Sequence, residues 1–371
     1  MACEKQDITQ RLLFETTSGE KVYRVDDSVV LKLPKNRNTL TTSWINGGYR
    51  ENLEAVFNNQ LSQENITKLE NGGVQEYMFK KAQKLGLNPE NVSGLLTSAD
   101  MDNVAVSSRR FRELEVTAVV TGGTRVNGGA AGDPASYYEE RGKFEFKAGT
   151  INTMVLVNAS LGEGTLTKAM MTAVEAKTVA MKQLMVPSRY STEVATGTGT
   201  DGISVISNME SGNRLTNAGK HSKLGELIGT CVIEATKEAL AKEVIVTASS
   251  QCDMLVRMDR FGVTPENYWK YAENIGATDR SQFMRGLENL SQDPVAVALT
   301  SAVLHVVDEV NWGLIPESAG KMAVNAVIKT FTEVHGQSRC FDVGEDSIIE
   351  NWIRTCAVYI ASQQSEEVVI H

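Results

Sequence analysis

Three stretches of the chain are apolar almost without interruption: Val116-Thr117-Ala118-Val119-Val120, Met154-Val155-Leu156-Val157 and Ile203-Ser204-Val205-Ile206. Short β-branched runs of this kind predict strands covered on both faces, although periodicity alone does not separate them from buried helix. Further upstream the period is two. Residues 12–33 alternate apolar and polar around Gly19, as in Val22-Tyr23-Arg24-Val25 and Val29-Val30-Leu31, which predicts a hairpin or meander. Leu40-Thr41-Thr42-Ser43-Trp44-Ile45 reads as a further strand, closed by Asn46-Gly47-Gly48. Residues 74–86 read as a helix, and Asn88-Pro89-Glu90 opens a new unit after Gly86.

Two helices stand out in the middle of the chain. Over 165–184 the apolar positions Leu166, Met170, Ala173, Ala180 and Leu184 recur at helical spacing, with Thr165 as candidate N-cap. Over 222–242 the stripe is Leu224, Leu227, Ile228, Cys231, Ala235 and Ala239, with Ser222 as candidate N-cap. Gly225 and Gly229 lie one turn apart there. Glycine costs about 1 kcal/mol against alanine inside a helix, so the pair implies close packing against a neighbour. Residues 263–371 are mostly helical by pattern, notably Val295–Val310 and Asp346–Ser362. The expected fold is α/β (or α+β), with mixed sheet layers covered by helices. Residues 1–262 form its core, and 263–371 form a helical C-terminal layer packed on it.

Composition narrows the function. A net charge of −9 argues against nucleic acid, because binding a phosphate backbone takes clustered Lys and Arg, and no basic stripe occurs. Met1–Gln10 lacks the apolar stretch of a secretory signal, and no segment reaches the roughly 18 apolar residues of a membrane span. Cys3, Cys231, Cys252, Cys340 and Cys356 are scattered and form no CxxC pair, so neither structural zinc nor a disulfide framework is expected. The expectation is a cytoplasmic protein with reduced thiols. The apolar C-terminal stretch either buries itself internally or pairs with a second subunit, so a homo-oligomer stays open.

A series of segments, in order, carries a family resemblance. These are Thr41–Gly48 with its Asn46-Gly47-Gly48 turn, Leu96–Met101, and Val116–Asp133 with Thr121-Gly122-Gly123 and Ala131-Gly132-Asp133. Gly149-Thr150-Ile151-Asn152 with Val157-Asn158-Ala159 follows, then Thr172–Lys177. Last come Ala195-Thr196-Gly197-Thr198-Gly199-Thr200-Asp201 and His221-Ser222-Lys223-Leu224-Gly225-Glu226-Leu227-Ile228-Gly229. Together they resemble the adenosylcobinamide amidohydrolase (CbiZ) family across 41–240. The resemblance implies hydrolysis of the amide that joins the corrin propionyl side chain to aminopropanol, giving adenosylcobyric acid and (R)-1-amino-2-propanol, a step of cobamide salvage. It implies substrate contacts from Asn46, Gly47, Gly48, Thr121, Gly122, Gly123, Asp133 and Asn152. The cobalt corrinoid is then a substrate, and no cofactor is expected. Nothing beyond about residue 260 resembles the family.

Amide hydrolysis needs an activated nucleophile, oxyanion stabilisation and a proton for the leaving amine. His221 precedes a predicted helix N-terminus, whose dipole favours the neutral, basic imidazole. By position alone it reads as a turn histidine, and the resemblance is what raises it to a candidate. In Thr196-Gly197-Thr198-Gly199-Thr200-Asp201, glycines let the backbone approach a ligand. Thr198 or Thr200 can act as nucleophile, with Asp201 orienting His221. The plain alternative is a tight loop whose hydroxyls satisfy its own backbone. Gly197, Gly199 and Gly202 also spell G-x-G-x-x-G, but this loop leads into a strand instead of opening a helix, so the dinucleotide reading is set aside.

Lys177 falls on the apolar stripe of its helix. Such a lysine usually snorkels to the surface, but if buried it can bind a carboxylate or act in catalysis. Glu175, on another face, and Glu226, in the first turn of its helix, are second-rank acid–base candidates. No Walker A sequence occurs, and His221 lacks the flanking Asp and Gly of a cobalamin-binding Asp-x-His-x-x-Gly motif. A covalent threonine route and direct attack by water both stay open. Two other readings also remain: a corrinoid-binding protein without hydrolytic activity, and an amidohydrolase acting on another amide.

Overall fold

The structure, a computed structural model, describes residues 10–69, 73–135, 137–138, 149–336 and 346–367. The chain divides into two units, Met1–Thr247 and Ala248–His371.

The first unit holds two mixed sheets. One has five strands in the order β1 (Gln10–Glu15), β2 (Lys21–Val25), β3 (Ser28–Lys32), β6 (Ala55–Gln60) and β7 (Val92–Thr97). It begins as the antiparallel meander expected around Gly19 and ends in the parallel pair β6–β7. The other has six strands in the order β5 (Gly48–Glu51), β4 (Arg37–Thr41), β14 (Gly202–Asn208), β11 (Ile151–Val157), β9 (Leu114–Gly122) and β8 (Ala105–Phe111). Here β14 and β11 are parallel, with Asn152 opposite Gly202, and the other neighbours are antiparallel.

Alternation along the strands sets the layers. Val22, Val29, Leu31, Val56 and Leu95 of the first sheet share a core with Val119, Met154, Leu156 and Ile206 of the second. The sheets therefore stack face to face. The opposite face of the first sheet, through Val30, Phe57 and Leu96, packs on α1 (Gln63–Leu69) and α2 (Val74–Lys84). The opposite face of the second, through Val116, Ala118, Val120, Val155 and Val205, packs on α3 (Glu163–Gln183) and α4 (Lys223–Val244). The order helix, sheet, sheet, helix covers β9 and β11 on both sides, and every residue in those strands is buried. That double cover explains their unbroken apolar runs. Each buried Val or Leu contributes roughly 1.5–3 kcal/mol.

Ser222 caps α4, its hydroxyl accepting from Gly225 N at 3.0 Å, as its sequence position predicts. Gly225 packs against the backbone of Gly219, where a side chain would collide, whereas Gly229 meets no such neighbour. Two local readings change. The cap of α3 is Gly162, not Thr165, which is buried in the first turn. The expected strand over 40–45 ends at Thr41, because Ser43 Oγ donates to Ile45 O and accepts from Gly94 N, diverting this backbone from the ladder.

The second unit is helical: α5 (Met254–Met258), α6 (Pro265–Asn274), α7 (Arg280–Ser291), α8 (Pro294–Asn311), α9 (Glu317–Val334) and α10 (Ile348–Glu367). Its core joins Tyr268, Phe283, Phe331 and Trp352. Met254 and Met258 belong to that core, so the unit starts before the boundary expected at 262/263. Among the described residues no single helix is long and apolar enough to cross a membrane.

Candidate active site

The connection from β11 through α3 to β14 brings the far half of α3 against the loop entering β14. Two short strands brace that loop: β10 (Gly128–Gly129) pairs antiparallel with β13 (Gly197–Thr198), with Gly129 opposite Gly197. A cavity of about 770 Å³ opens there, lined among others by Lys177, Asp133, Asn127, Tyr190 and residues 196–201. Its size suits a small-molecule site.

Asp201 organises the wall. Oδ1 accepts from the Thr198 hydroxyl at 2.6 Å and from Ile151 N at 2.9 Å. Oδ2 accepts from Thr198 N at 3.0 Å and from the Lys177 ammonium, with which it forms an ion pair. The two side chains are 12 % and 16 % exposed, so the pair is largely withdrawn from water yet borders the cavity. Lys177 reaches inward from the apolar stripe of α3 because a carboxylate waits there. Gly197 is required by this arrangement, since a side chain on it would run into Asp201 Oδ2 and Lys177 Nζ.

The other hydroxyls of the loop are differently engaged. Thr200 Oγ1 lies 2.5 Å from Thr150 Oγ1 and donates to Gly149 O at 3.0 Å. Thr196 Oγ1 accepts from Ala131 N at 3.0 Å. Asn127 donates to Gly149 O at 2.9 Å and accepts from the Tyr190 hydroxyl at 3.0 Å. Of the three threonines, Thr198 has its hydroxyl on a carboxylate.

Asp133 lines the cavity as well. Its Oδ2 accepts from Ala130 N at 2.7 Å and from Ser188 Oγ at 2.6 Å. Burial pushes its pKa up, but hydrogen bonds from Ser188, Ser191 and the Ala130 backbone hold it below the ordinary carboxylate range.

The structure therefore gathers Lys177, Asp133, Thr196, Gly197, Thr198, Gly199, Thr200 and Asp201 in one place. Other expected residues lie elsewhere. His221 is exposed on the turn before α4 and is not part of the cavity wall, and the hydrogen bonds of Asp201 come from Lys177, Thr198 and Ile151 in its stead. Glu175 pairs with Lys220 at 2.6 Å on the surface, and Glu226 pairs with Lys223 at the start of α4. Both serve as solvated ion pairs at helix surfaces.

Asn46 is a structural clamp in the left-handed region (φ 48), its amide donating to Pro89 O and Val92 O at 2.8 and 2.7 Å. Gly47 packs against Ser43 O and Gly48 has φ 77, so both serve that turn. Thr121 and Asn152 are buried in a polar network. Asn58 donates to Thr121 Oγ1 at 2.7 Å, and Asn152 donates to Asn58 Oδ1 and Leu96 O at 2.8 Å each. Gly122 packs near Leu240 of α4, and Gly123 near Glu243 and Gly149. None of these seven borders the cavity.

Asn127, Tyr190 and Ser188 are wall or support residues that the sequence reading passed over. Asn127 lies inside the family-like segment Val116–Asp133, beside Gly128, and that was its only signal. Among the described residues no group of three or more His, Cys, Asp or Glu could hold a metal ion.

Comparison with known proteins bears on the same region. Residues 13–248 match the family model for adenosylcobinamide amidohydrolase, a span that nearly coincides with the first unit and leaves the helical unit outside. An uncharacterised protein of Methanocaldococcus jannaschii is 32 % identical over 228 residues, which cover 58 % of this chain and 86 % of that protein. A crystal structure of a Pyrococcus horikoshii protein aligns with 63 % of this chain and 84 % of its own at 12 % identity, with a TM-score of 0.32, too low to carry an argument.

Proposed function

Since the chain belongs to the adenosylcobinamide amidohydrolase family, we propose that its cavity hydrolyses the amide between the corrin propionyl side chain and aminopropanol in adenosylcobinamide, yielding adenosylcobyric acid and (R)-1-amino-2-propanol. The observation that carries this reading beyond the family is the Thr198 hydroxyl held 2.6 Å from Asp201 Oδ1 on the wall of a small-molecule cavity. A nucleophile beside a base, with the base fixed by a third group, is the arrangement that covalent acyl transfer uses.

In this reading Thr198 Oγ1 attacks the amide carbon while its proton passes to Asp201 Oδ1. The leaving nitrogen then takes that proton as the C–N bond breaks, leaving the cobyric acid esterified to Thr198. Water hydrolyses the ester, with Asp201 again receiving the proton and returning it to Thr198. Lys177 keeps Asp201 in place and offsets charge at the wall. His221 is given no step in this reading, because it is exposed and is not part of the cavity wall.

The test is incubation of the purified protein with adenosylcobinamide, followed by mass spectrometry for both products. Turnover that leaves a transient corrinoid adduct on Thr198 supports the reading. Corrinoid binding without turnover replaces it with a carrier, and turnover of other amides alone replaces the substrate.

A further inference from the structure

Among the described residues, the cavity holds two carboxylates in different electrostatic settings. Asp201 is matched by the Lys177 ammonium. Among the described residues, Asp133 is held by the neutral donors Ala130 N, Ser188 and Ser191, and no Lys or Arg pairs with it. A partly enclosed carboxylate without a cation of its own is a ready complement for a donor or a positive charge brought by a ligand.

The β10–β13 ribbon fixes how the two are placed. Gly129 and Gly197 are directly opposed, and side-chain directions of opposed residues project to the same face about 5 Å apart. A Cβ on Gly129 would stand 3.5 Å from Asp133 Oδ2 and 3.2 Å from the Tyr190 ring. One on Gly197 would meet Asp201 Oδ2 and Lys177 Nζ. The carboxylates therefore stand over adjacent positions of one ribbon, on the order of 10 Å apart or less. The Tyr190 ring over Gly129 and the Lys177–Asp201 pair over Gly197 complete the wall along which both carboxylates line the cavity.

We propose that Asp133 forms the subsite for the amine half of the scissile amide, accepting the hydroxyl of the bound aminopropanol group in the substrate and its ammonium in the product. The subsite rests on the hydrolase reading above and adds a ligand class to it: short alkylamines that carry a hydroxyl. The reaction creates the positive charge, since a neutral amide nitrogen leaves as an amine that is protonated at neutral pH. A carboxylate that stays ionised at that pH holds this product after the bond has broken. Recognition at Asp133 and bond breaking at Thr198 are then separable.

The experiment is product inhibition of adenosylcobinamide hydrolysis by (R)-1-amino-2-propanol, by propane-1,2-diol and by adenosylcobyric acid, in the wild type and in Asp133→Asn. In the wild type, aminopropanol should inhibit at least about tenfold more tightly than the uncharged diol. In D133N its inhibition constant should rise by about tenfold, while that of adenosylcobyric acid stays within about threefold. An unchanged aminopropanol constant in folded D133N overturns the subsite and leaves the hydrolase reading standing. If D133N does not fold, equal inhibition of the wild type by aminopropanol and the diol overturns it in the same way. Absence of turnover and of corrinoid binding in the wild type removes the hydrolase reading, and the subsite with it.

Discussion

Thr198 donates its hydroxyl to Asp201 Oδ1 across 2.6 Å, three residues along the same loop. Thr200, two residues on, spends its hydroxyl on Thr150 and on Gly149 O. The loop thus offers chemically equal groups in unequal settings, and only one of these two touches a carboxylate. Thr198→Val keeps the shape and removes the oxygen. Its turnover of adenosylcobinamide should fall by at least about 10³-fold, with corrinoid binding retained in spectroscopic titration. Thr200→Val should cost far less, about tenfold, through a looser loop. Equal losses in the two variants would remove the assignment of Thr198 as nucleophile.

The Lys177–Asp201 pair makes a prediction about stability that does not depend on substrate. Lys177→Met leaves a largely buried carboxylate without its cation, still bonded to Thr198 and Ile151 N. Breaking a buried pair from one side costs about 3–5 kcal/mol, and the partial exposure of both side chains lowers the expectation to about 2–3 kcal/mol. Adding Asp201→Asn to Lys177→Met should recover part of the loss, because the stranded charge is gone. Urea unfolding of the two singles and the double variant measures this coupling. Strict additivity would mean that the two side chains do not interact in solution.

How far this site could be read beforehand follows from what each residue's signal was. Lys177 was visible as a charge on an apolar helical stripe, a conflict that local sequence exposes. Its partner was not, because Asp201 lies 24 residues away and the pairing depends on how α3 lies against β14. His221 was raised to a candidate by the family resemblance and not by its position, which read as a turn histidine, and the fold puts it on an exposed turn. Asn46 and Asn152 matched family segments, and in the structure their amides hold backbone together outside the Lys177–Asp201 cavity, a long-range placement that a motif match does not carry.

The fold shows the same division. Runs such as 116–120 and 154–157 report double cover, because a strand with one wet face alternates. Which faces meet is a long-range fact, and the stacking of Val119 and Met154 on Val29 and Leu31 has no local trace. Ser222 was legible as a cap because its hydroxyl does the capping, whereas Gly162 caps α3 with no side chain to reveal it.

Acid should weaken the first unit through Glu20. Its side chain is 3 % exposed and pairs with Arg37, which is 1 % exposed. Burial raises the Glu20 pKa, but hydrogen bonds from Thr16, Ser18 and Arg37 and the Arg37 charge hold it below the usual value of 4.5. A depressed carboxylate stabilises the fold fully above its unfolded pKa, and that contribution is lost as the pH falls through the folded one. The melting temperature should therefore decline below about pH 4.5. Glu20→Gln should flatten that decline while costing about 2–3 kcal/mol at neutral pH, since buried Arg37 loses its close carboxylate and keeps the 3.5 Å contact with the exposed Glu210 and its bonds to Ser18 O and Lys35 O. An unaltered acid slope in this variant would assign the decline to other carboxylates.

Gly197 and Gly199 separate the two demands that the loop meets. A Cβ on Gly197 would collide with both members of the Lys177–Asp201 pair, and neither can yield without losing the other. A Cβ on Gly199, which is exposed, would come 3.4 Å from Asn127 Oδ1, an ordinary contact at the edge of the wall. Neither glycine has a positive φ, so backbone strain does not enter and the comparison isolates space. Gly197→Ala should reduce turnover by about 10²-fold or more, because displacing Asp201 by about 1 Å breaks its alignment with Thr198. Gly199→Ala should stay within about threefold of the wild type, because its added methyl displaces no group that the reaction uses. Both are read from kcat/KM on adenosylcobinamide beside thermal unfolding. If Gly197→Ala loses stability and keeps its catalytic rate, the Lys177–Asp201 pair is a brace for the loop and not part of the reaction.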